Sequence, residues 1–263
     1  VSIESLTSAK NPLLRDIRRA VLKGGLTEEG YCVAETFHLL EEAIRSECRI
    51  QAVLVAASVR TAVERHVKGL KRVRVVVIAD DLFEMIAATE NSQGVVTLVK
   101  APEWTLDQLF GGRPMLVVLD GVQDPGNAGA IVRAAEAFGA DGAIFVKGSV
   151  SPYNSKTLRA AAGSLFRLPF VAGLDPALAR AALEQKRIDI WAAHPRGQKL
   201  LGDTDLTRGF ALIVGSEGRG VSDKLRGCAT DLRIATVNVE SLNAAMAAGI
   251  ILHEASRQRT VRR

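Results

Sequence analysis

The stretch Met115-Leu116-Val117-Val118-Leu119-Asp120-Gly121-Val122-Gln123-Asp124-Pro125-Gly126-Asn127-Ala128-Gly129-Ala130-Ile131-Val132-Arg133 decides the fold. Its first five residues form an unbroken apolar run, the pattern of a strand buried on both faces of a parallel sheet. A glycine-bearing loop follows, then a helix from about Asn127 to Phe138 that Gly139 is placed to end. The order repeats downstream, with a strand at Ala143 to Val146, a helix near Ser155 to Ala162 and a strand at Phe170-Val171. A helix from Pro176 to Gln185 and a strand from Ile188 to Ala193 continue it. Phe210 to Val214 and Leu232 to Ala235 are the last strands, and Ser241 to Arg257 is the last helix. Such alternation predicts an α/β domain around a parallel sheet, whose ligands sit beyond the carboxyl ends of the strands.

Upstream lies a second, smaller α/β layer. Leu13, Leu14, Ile17, Val21 and Leu22 share the apolar face of a helix after Asn11-Pro12, while Lys10, Arg15, Arg18, Arg19 and Lys23 fall largely on its other side. That basic face suits either plain solvation or contact with a nucleic-acid backbone. Cys32-Val33 reads as a strand, Thr36 to Arg45 as a helix, and Gln51 to Ala56, Arg72 to Ala79 and Val95 to Val99 as further strands. Between the layers, the stretch from Lys100 to Pro114 carries Pro102, Pro114 and the pair Gly111-Gly112 without sustained periodicity. The expected organisation is therefore a domain over 1–99, a linker over 100–112 and a domain over 113–263.

Composition narrows the function classes. The 263 residues are 48% apolar and 24% charged, an ordinary globular balance, with 34 Lys and Arg against 29 Asp and Glu. The resulting +5 permits a polyanion partner without requiring one. Cys32, Cys48 and Cys228 are too few and too scattered for a disulfide framework, which suits a reducing cytoplasm. His38, His66, His194 and His253 stand apart without ligand spacing, so no catalytic metal is expected. The N-terminus has no signal-peptide pattern, and no apolar run approaches the roughly 20 residues of a membrane span.

Three loops at strand ends carry the chemistry. In the first, Asn127 can cap the helix it opens, and Arg133, six residues on, is expected on the same side, a cation buried beside a helix start that invites a ligand. Neither the Gly-x-Gly-x-x-Gly of dinucleotide folds nor the Gly-Lys-Ser/Thr of phosphate loops is present. The second, Gly215-Ser216-Glu217-Gly218-Arg219-Gly220, would pass for a tight turn were it not for Glu217 between glycines. The third, Glu240-Ser241-Leu242-Asn243, offers Ser241 as a cap for a helix whose Ala244, Ala245, Ala247, Ala248 and Gly249 would let another backbone pack close. Gly249 costs helix stability, which argues against a composition chosen for propensity alone.

Taken together, Asn127-x-Gly129-x-x-x-Arg133, Gly215-Ser216-Glu217-Gly218 and Ser241-Leu242-Asn243 resemble the three motifs of the SpoU (TrmH) family of RNA 2′-O-ribose methyltransferases, of the SPOUT superfamily, over about Pro114 to Arg259. Ser155-Lys156 to Arg159, Ala162-Gly163-Ser164 and Pro169 are similar to the family between motifs, and Ser8-Ala9-Lys10-Asn11-Pro12 resembles the start of its ribosomal-protein-like RNA substrate-binding domain. The resemblance implies a C-terminal trefoil knot, a homodimer joined through that domain, and S-adenosylmethionine as methyl donor. It places Gly215, Gly218, Ile234, Leu242 and Ala193 against the donor and makes Asn127, Arg133, Glu217, Ser241 and Asn243 the catalytic cluster. The chain departs from the family's usual Ile-Pro-Met and glycine before the third motif. It reads Ile234-Ala235-Thr236-Val237-Asn238-Val239-Glu240 there, one residue shorter, which bears on the adenosine pocket rather than on the cluster.

Methyl transfer from a sulfonium needs alignment and removal of the hydroxyl proton. A guanidinium stays protonated, so Arg133 suits stabilising a developing alkoxide or gripping a phosphate better than acting as base. Asn127 and Glu217 would orient it, and Ser241 and Asn243 would shape the donor pocket. RNA rather than DNA follows because the 2′-hydroxyl is the nucleophile. Arg257, Arg259, Arg262 and Arg263, with the basic first helix, are expected phosphate contacts. Ribosomal RNA, 23S in particular, is the leading substrate, with transfer RNA and a non-catalytic RNA-binding relative as alternatives. A nucleotide-dependent oxidoreductase is a further class, separable by whether NAD or S-adenosylmethionine binds.

Overall fold

A computed structural model describes residues 2–68, 73–89 and 91–261. The chain forms two compact units, Val1–Glu103 with Tyr153–Arg167, and Trp104–Pro152 with Leu168–Arg263.

The first unit runs β1 (Ser2–Leu6), α1 (Pro12–Lys23), β2 (Tyr31–Glu35), α2 (Phe37–Arg45), β3 (Ile50–Ala56), α3 (Arg60–Val67), β4 (Arg74–Ile78), α4 (Asp80–Glu84) and β5 (Val95–Lys100). Its sheet has the order β1-β4-β3-β5-β2, with β1, β4 and β3 parallel and β5 antiparallel to both its neighbours. Alternation through the central strands serves both faces. Leu54, Val76 and Leu98 meet Leu14 and Ile17 of α1, while Val53, Val55 and Val75 meet Leu40 of α2 and Val63 of α3.

Helix α1 starts where its sequence signals place it. The Asn11 side chain accepts from the Leu13 N–H, Pro12 occupies the first turn, and Gly24 closes the helix at φ 58°. Two expectations change here. Leu22 is 75% exposed rather than part of the apolar face, and Arg19 is not free, because it pairs with Asp16 and, at 3.2 Å, with Glu28. Lys10, Arg15, Arg18 and Lys23 remain exposed. Arg72, expected to open a strand, lies outside the described residues; β4 begins at Arg74.

The second unit contains β6 (Met115–Asp120), α5 (Pro125–Ala137) and β7 (Gly142–Val146). After α6 (Ser155–Ala161), which belongs to the first unit, come β8 (Phe170–Leu174), α7 (Pro176–Gln185), β9 (Asp189–Ala193), β10 (Lys199–Leu200), β11 (Phe210–Gly215), α8 (Asp223–Arg226), β12 (Thr230–Arg233) and α9 (Ala244–Val261). The seven strands lie in the order β10-β12-β9-β11-β6-β7-β8, and every neighbouring pair is parallel. All six residues of β6 are buried, as its unbroken apolar run requires of a central strand covered on both faces. Within 100–112, the 3-10 helix Leu106–Leu109 is opened by a Thr105–Gln108 capping box and buries Leu109 in the core of this unit.

On one side of the sheet α9 packs against α5, its Ala248, Ile251, Leu252 and Ala255 fully buried. The small residues do allow this packing, but Gly249 is not forced by it. A Cβ there would sit 3.9 Å from the Cβ of Ala134, an ordinary contact. Arg259, expected on phosphates, is instead built into this unit. Its guanidinium donates to the carbonyl oxygens of Leu206, Arg113, Pro114 and Arg208 and lies 5.2 Å from the centre of the Phe210 ring. Burial pulls its pKa below the usual arginine value. Arg257 forms a fork on the Glu254 carboxylate at 2.7 and 2.8 Å. Arg262 and Arg263 lie outside the described residues.

Residues 153–167 are tied into the first unit by two ion pairs. Arg159 meets Glu35 at 3.0 Å, and Arg167 meets Glu42 at 2.6 Å and the Ser46 hydroxyl at 3.0 Å. Glu35 is only 2% exposed and also accepts from the Thr89 hydroxyl. Gly163 sits at φ 92°, where a Cβ would fall 2.7 Å from that of Glu42. Removing one partner of a buried pair strands the other charge, so Arg159→Ala should destabilise the first unit by about 3 kcal/mol in urea unfolding. The double change Glu35→Gln with Arg159→Met should recover most of that loss, and equal losses in the single and double variants would contradict the pairing.

Candidate active site

Strand pairing makes the site. In the β11–β6 register Gly215 stands beside Asp120, so the loops leaving these two strands emerge side by side although they are far apart in sequence. Asp120 is 5% exposed, and its Oδ2 accepts from the Ser222 N–H at 2.6 Å, tying the end of β6 to the far end of the second loop. Ser149 fixes the first loop, accepting from the Gly121 N–H at 2.9 Å and donating to the Leu119 carbonyl at 2.8 Å.

Helix α5 is capped one turn earlier than expected. Asp124, not Asn127, is the N-cap; its Oδ1 accepts from the Asn127 N–H at 2.7 Å, and Pro125 takes the first helical position. An Asp-Pro pair favours this start because proline holds the preceding residue extended and has no N–H to satisfy. The Asn127 side chain is thereby released from capping. Its Nδ2 donates to Glu217 Oε1 at 2.5 Å.

The third loop reaches the same point. Asn243, rather than Ser241, caps α9, its Oδ1 accepting from the Ala245 and Met246 N–H groups at 3.0 and 3.2 Å. Its Nδ2 donates to Asn127 Oδ1 at 2.9 Å and lies 3.4 Å from Glu217 Oε1. Three residues from three loops thus share one hydrogen-bond network. Ser241 stands exposed in the loop before α9, outside that network.

Arg133 is corrected on two counts. It is exposed, not buried, and it does not share a side with Asn127, because six residues at about 100° each turn a side chain some 120° away. No hydrogen bond or ion pair to another described residue engages it.

A cavity of about 280 Å³ opens where the first two loops meet, walled by Gly121, Asn127, Gly215, Glu217, Gly218 and Arg219, with Ala244 on its α9 side. Gly121, Gly215 and Gly218 expose backbone in its wall, and the position a Cβ of Gly218 would take is open space. Gly215 is required for a different reason, since a Cβ there would fall 2.1 Å from the carbonyl carbon of Gly220. Ser216 and Gly220 close that turn with reciprocal backbone hydrogen bonds of 3.1 and 2.8 Å. The other residues expected around the methyl donor line up from this cavity along the carboxyl edge. In the strand order β12-β9-β11-β6, Ile234 follows β12, Ala193 ends β9 and Gly215 ends β11. Ile234, Ala193 and Leu242 are half-buried, apolar and outside the cavity wall itself. The strand expected over Leu232 to Ala235 is Thr230–Arg233, which leaves Ile234 free of the ladder. From Ala235 to Glu240 the chain is exposed, with Val237 at 96%.

Several residues of the site lay outside the sequence reading. Asp120 and Ser149 act through backbone groups that only the folded register brings near. Asp124 had a readable signal in the Asp-Pro pair. Gln123, Ser216 and Arg219 carry no signal beyond their place in the loops.

A parallel α/β sheet with three loops converging at its carboxyl edge defines a ligand-binding or catalytic domain of the kind that places small molecules there. Comparison with known proteins gives the particular kind. The family model described as the SpoU rRNA Methylase family matches residues 114–253, and an MRM3-like substrate binding domain matches residues 11–97. The chain belongs to the SpoU rRNA Methylase family, as the three loops suggested. It is 30% identical over 254 residues to the 23S rRNA (guanosine(2553)-2′-O)-methyltransferase RlmP of Bacillus subtilis, covering 95% of this chain and 98% of that protein. It is 33% identical over 227 residues to the 23S rRNA (guanosine-2′-O-)-methyltransferase RlmB of Ralstonia nicotianae, covering 84% and 87%. The crystal structure of the SpoU methyltransferase AviRb from Streptomyces viridochromogenes in complex with AdoMet superposes with a TM-score of 0.84 at 26% identity, covering 95% of this chain and 99% of that one.

Because the Gly215 turn has no room for a side chain, Gly215→Ala should force the second loop away from the Asn127 carboxamide. The expected cost is about 1–3 kcal/mol of stability, together with loss of S-adenosylmethionine binding by calorimetry. A variant as stable and as competent in binding as the parent would show that the turn is dispensable.

Proposed function

We propose that this protein transfers the methyl group of S-adenosylmethionine to a ribose 2′-hydroxyl of ribosomal RNA, with 23S rRNA as the substrate. One observation carries the reading: Asn243 caps α9 with its oxygen and, with its nitrogen, joins the Asn127–Glu217 pair. The residues fit the donor, because the cavity offers glycine backbone to a bulky ligand and half-buried apolar groups continue from it along the sheet edge. When bound, S-adenosylmethionine supplies a methyl carbon already activated by its sulfonium.

The chain's task is alignment and charge placement. Gly215, Gly218, Ala193, Ile234 and Leu242 hold the donor, largely through backbone and apolar contact. Glu217, fixed by the Asn127 amide, and Asn243 present polar groups to the ribose, and Ser241 shapes the donor side of the loop. The oxygen–carbon bond would form as the donor's sulfur–carbon bond breaks, leaving S-adenosylhomocysteine, with the hydroxyl proton passing to solvent water, and Arg133 stabilises the developing alkoxide. Since Arg133 is exposed and off the cavity wall of its own chain, this role needs the homodimer. Exposed Val237, Val239, Met246 and Ile250 in and before α9 support such packing through the C-terminal domain. Residues 1–99 serve as the ribosomal-protein-like RNA-binding domain, with Lys10, Arg15, Arg18 and Lys23 on phosphates, 100–112 as the connection and 113–263 as the methyltransferase domain. A trefoil knot in the last of these is supported by β11 lying between β9 and β6 while α9 packs back on α5. A cytoplasmic location follows from the substrate; no helix among the described residues is long and apolar enough to cross a membrane.

Incubation of 23S rRNA with methyl-labelled S-adenosylmethionine should place label in a 2′-O-methyl nucleoside after nuclease digestion. Arg133→Ala should lower turnover by about 100-fold or more while S-adenosylmethionine affinity stays within a few-fold. Near-normal methylation by that variant would remove Arg133 from the cluster, and label in a base or in no nucleoside would overturn the activity.

A further inference from the structure

The wall of the cavity between the first two loops carries two carboxylates, Asp124 and Glu217, and among the described residues its cation is Arg219. Asp124 is occupied as the cap of α5, so a polyanion brought to this site meets the Glu217 carboxylate and is favoured by a donor in the same wall. The backbone around Arg219 is fixed, with its N–H donating to the Ser216 hydroxyl at 3.3 Å inside the turn closed by Ser216 and Gly220. Its side chain is exposed, and no hydrogen bond or ion pair to another described residue engages its guanidinium. Three arginines of this unit are committed elsewhere, Arg226 to Asp231 at 2.6 Å, Arg257 to Glu254 and Arg259 to four carbonyl oxygens, and Arg133, though unengaged, lies off this wall. A fixed loop, an uncommitted fork of donors and a wall shared with Asn127 and Glu217 describe a phosphate grip.

We infer that Arg219 binds a backbone phosphate next to the target ribose, within the same chain that supplies Asn127 and Glu217. It is a substrate-holding residue for RNA, distinct in effect from Arg133, whose proposed role lies in turnover. The inference rests on the reading of this cavity as the methyl-transfer site.

The test compares the full-length protein with Arg219→Gln and Arg219→Lys, using a 23S rRNA transcript and S-adenosylmethionine. For Arg219→Gln the expected result is a roughly 5- to 10-fold rise in KM for RNA, with kcat within about twofold. The slope of log RNA affinity against log salt should fall by about one, and S-adenosylmethionine affinity should hold. Arg219→Lys, which keeps the charge, should recover most of the loss. An unchanged KM and salt slope in Arg219→Gln would overturn the inference, as would a loss of S-adenosylmethionine affinity, which would turn Arg219 toward the donor. If the parent protein itself transfers no methyl group, the reading of the reaction falls. The salt slopes of parent and variant then still decide whether Arg219 holds RNA.

Discussion

Everything about this site depends on the hydrogen-bond network of Asn127, Glu217 and Asn243. The three residues come from loops that follow β6, β11 and β12, and each is held by something other than the network. Asp124 caps α5 and frees the Asn127 amide, the Ser216–Gly220 turn presents Glu217, and Asn243 is anchored by the first N–H groups of α9. A carboxylate that accepts from a fixed amide has a defined orientation, and a reaction that relies on alignment rather than on a strong acid or base needs that orientation. The cost of losing one member is therefore expected in geometry before it appears in stability.

Sheet topology makes the network possible. A parallel strand order that puts β11 between β9 and β6 gathers the ends of distant segments on one edge, and the Gly215–Asp120 register sets two loops shoulder to shoulder. Packing of α9 on α5 then returns the start of the last helix to the end of the first loop, where Asn243 meets Asn127. The fold does not merely carry the site; its connectivity is what brings the three motifs together.

Much of this was legible in the residues. The run from Met115 to Leu119 could only be a strand buried on both faces, and the helix expected from Pro176 to Gln185 is α7 with those bounds. Other elements left weaker traces. Strand β1 is an exposed edge with polar residues, and α3 buries only Val63 and Val67, four apart, so neither shows a strong period. In the site, the motif residues Asn127, Glu217 and Asn243 meet, but the division of labour among caps was misread. Asp124 competes with Asn127 and Asn243 with Ser241, and a choice between neighbouring capping residues is settled by side-chain geometry that spacing does not contain. Arg133 was misplaced by helix arithmetic. Arg259 shows a deeper limit: a tail arginine looks like a phosphate contact until the fold brings carbonyl oxygens from 113–114 and 206–208 around it.

The most direct test of the account is a crystal structure of the protein with S-adenosylhomocysteine. The account predicts the sulfur at the mouth of the cavity bounded by Asn127, Gly215 and Glu217, with the adenosine running toward Ala193 and Ile234. Ligand density elsewhere would contradict it, most pointedly in the separate cavity of about 490 Å³ beside Met115, Asp141 and Arg259 at the opposite end of β6.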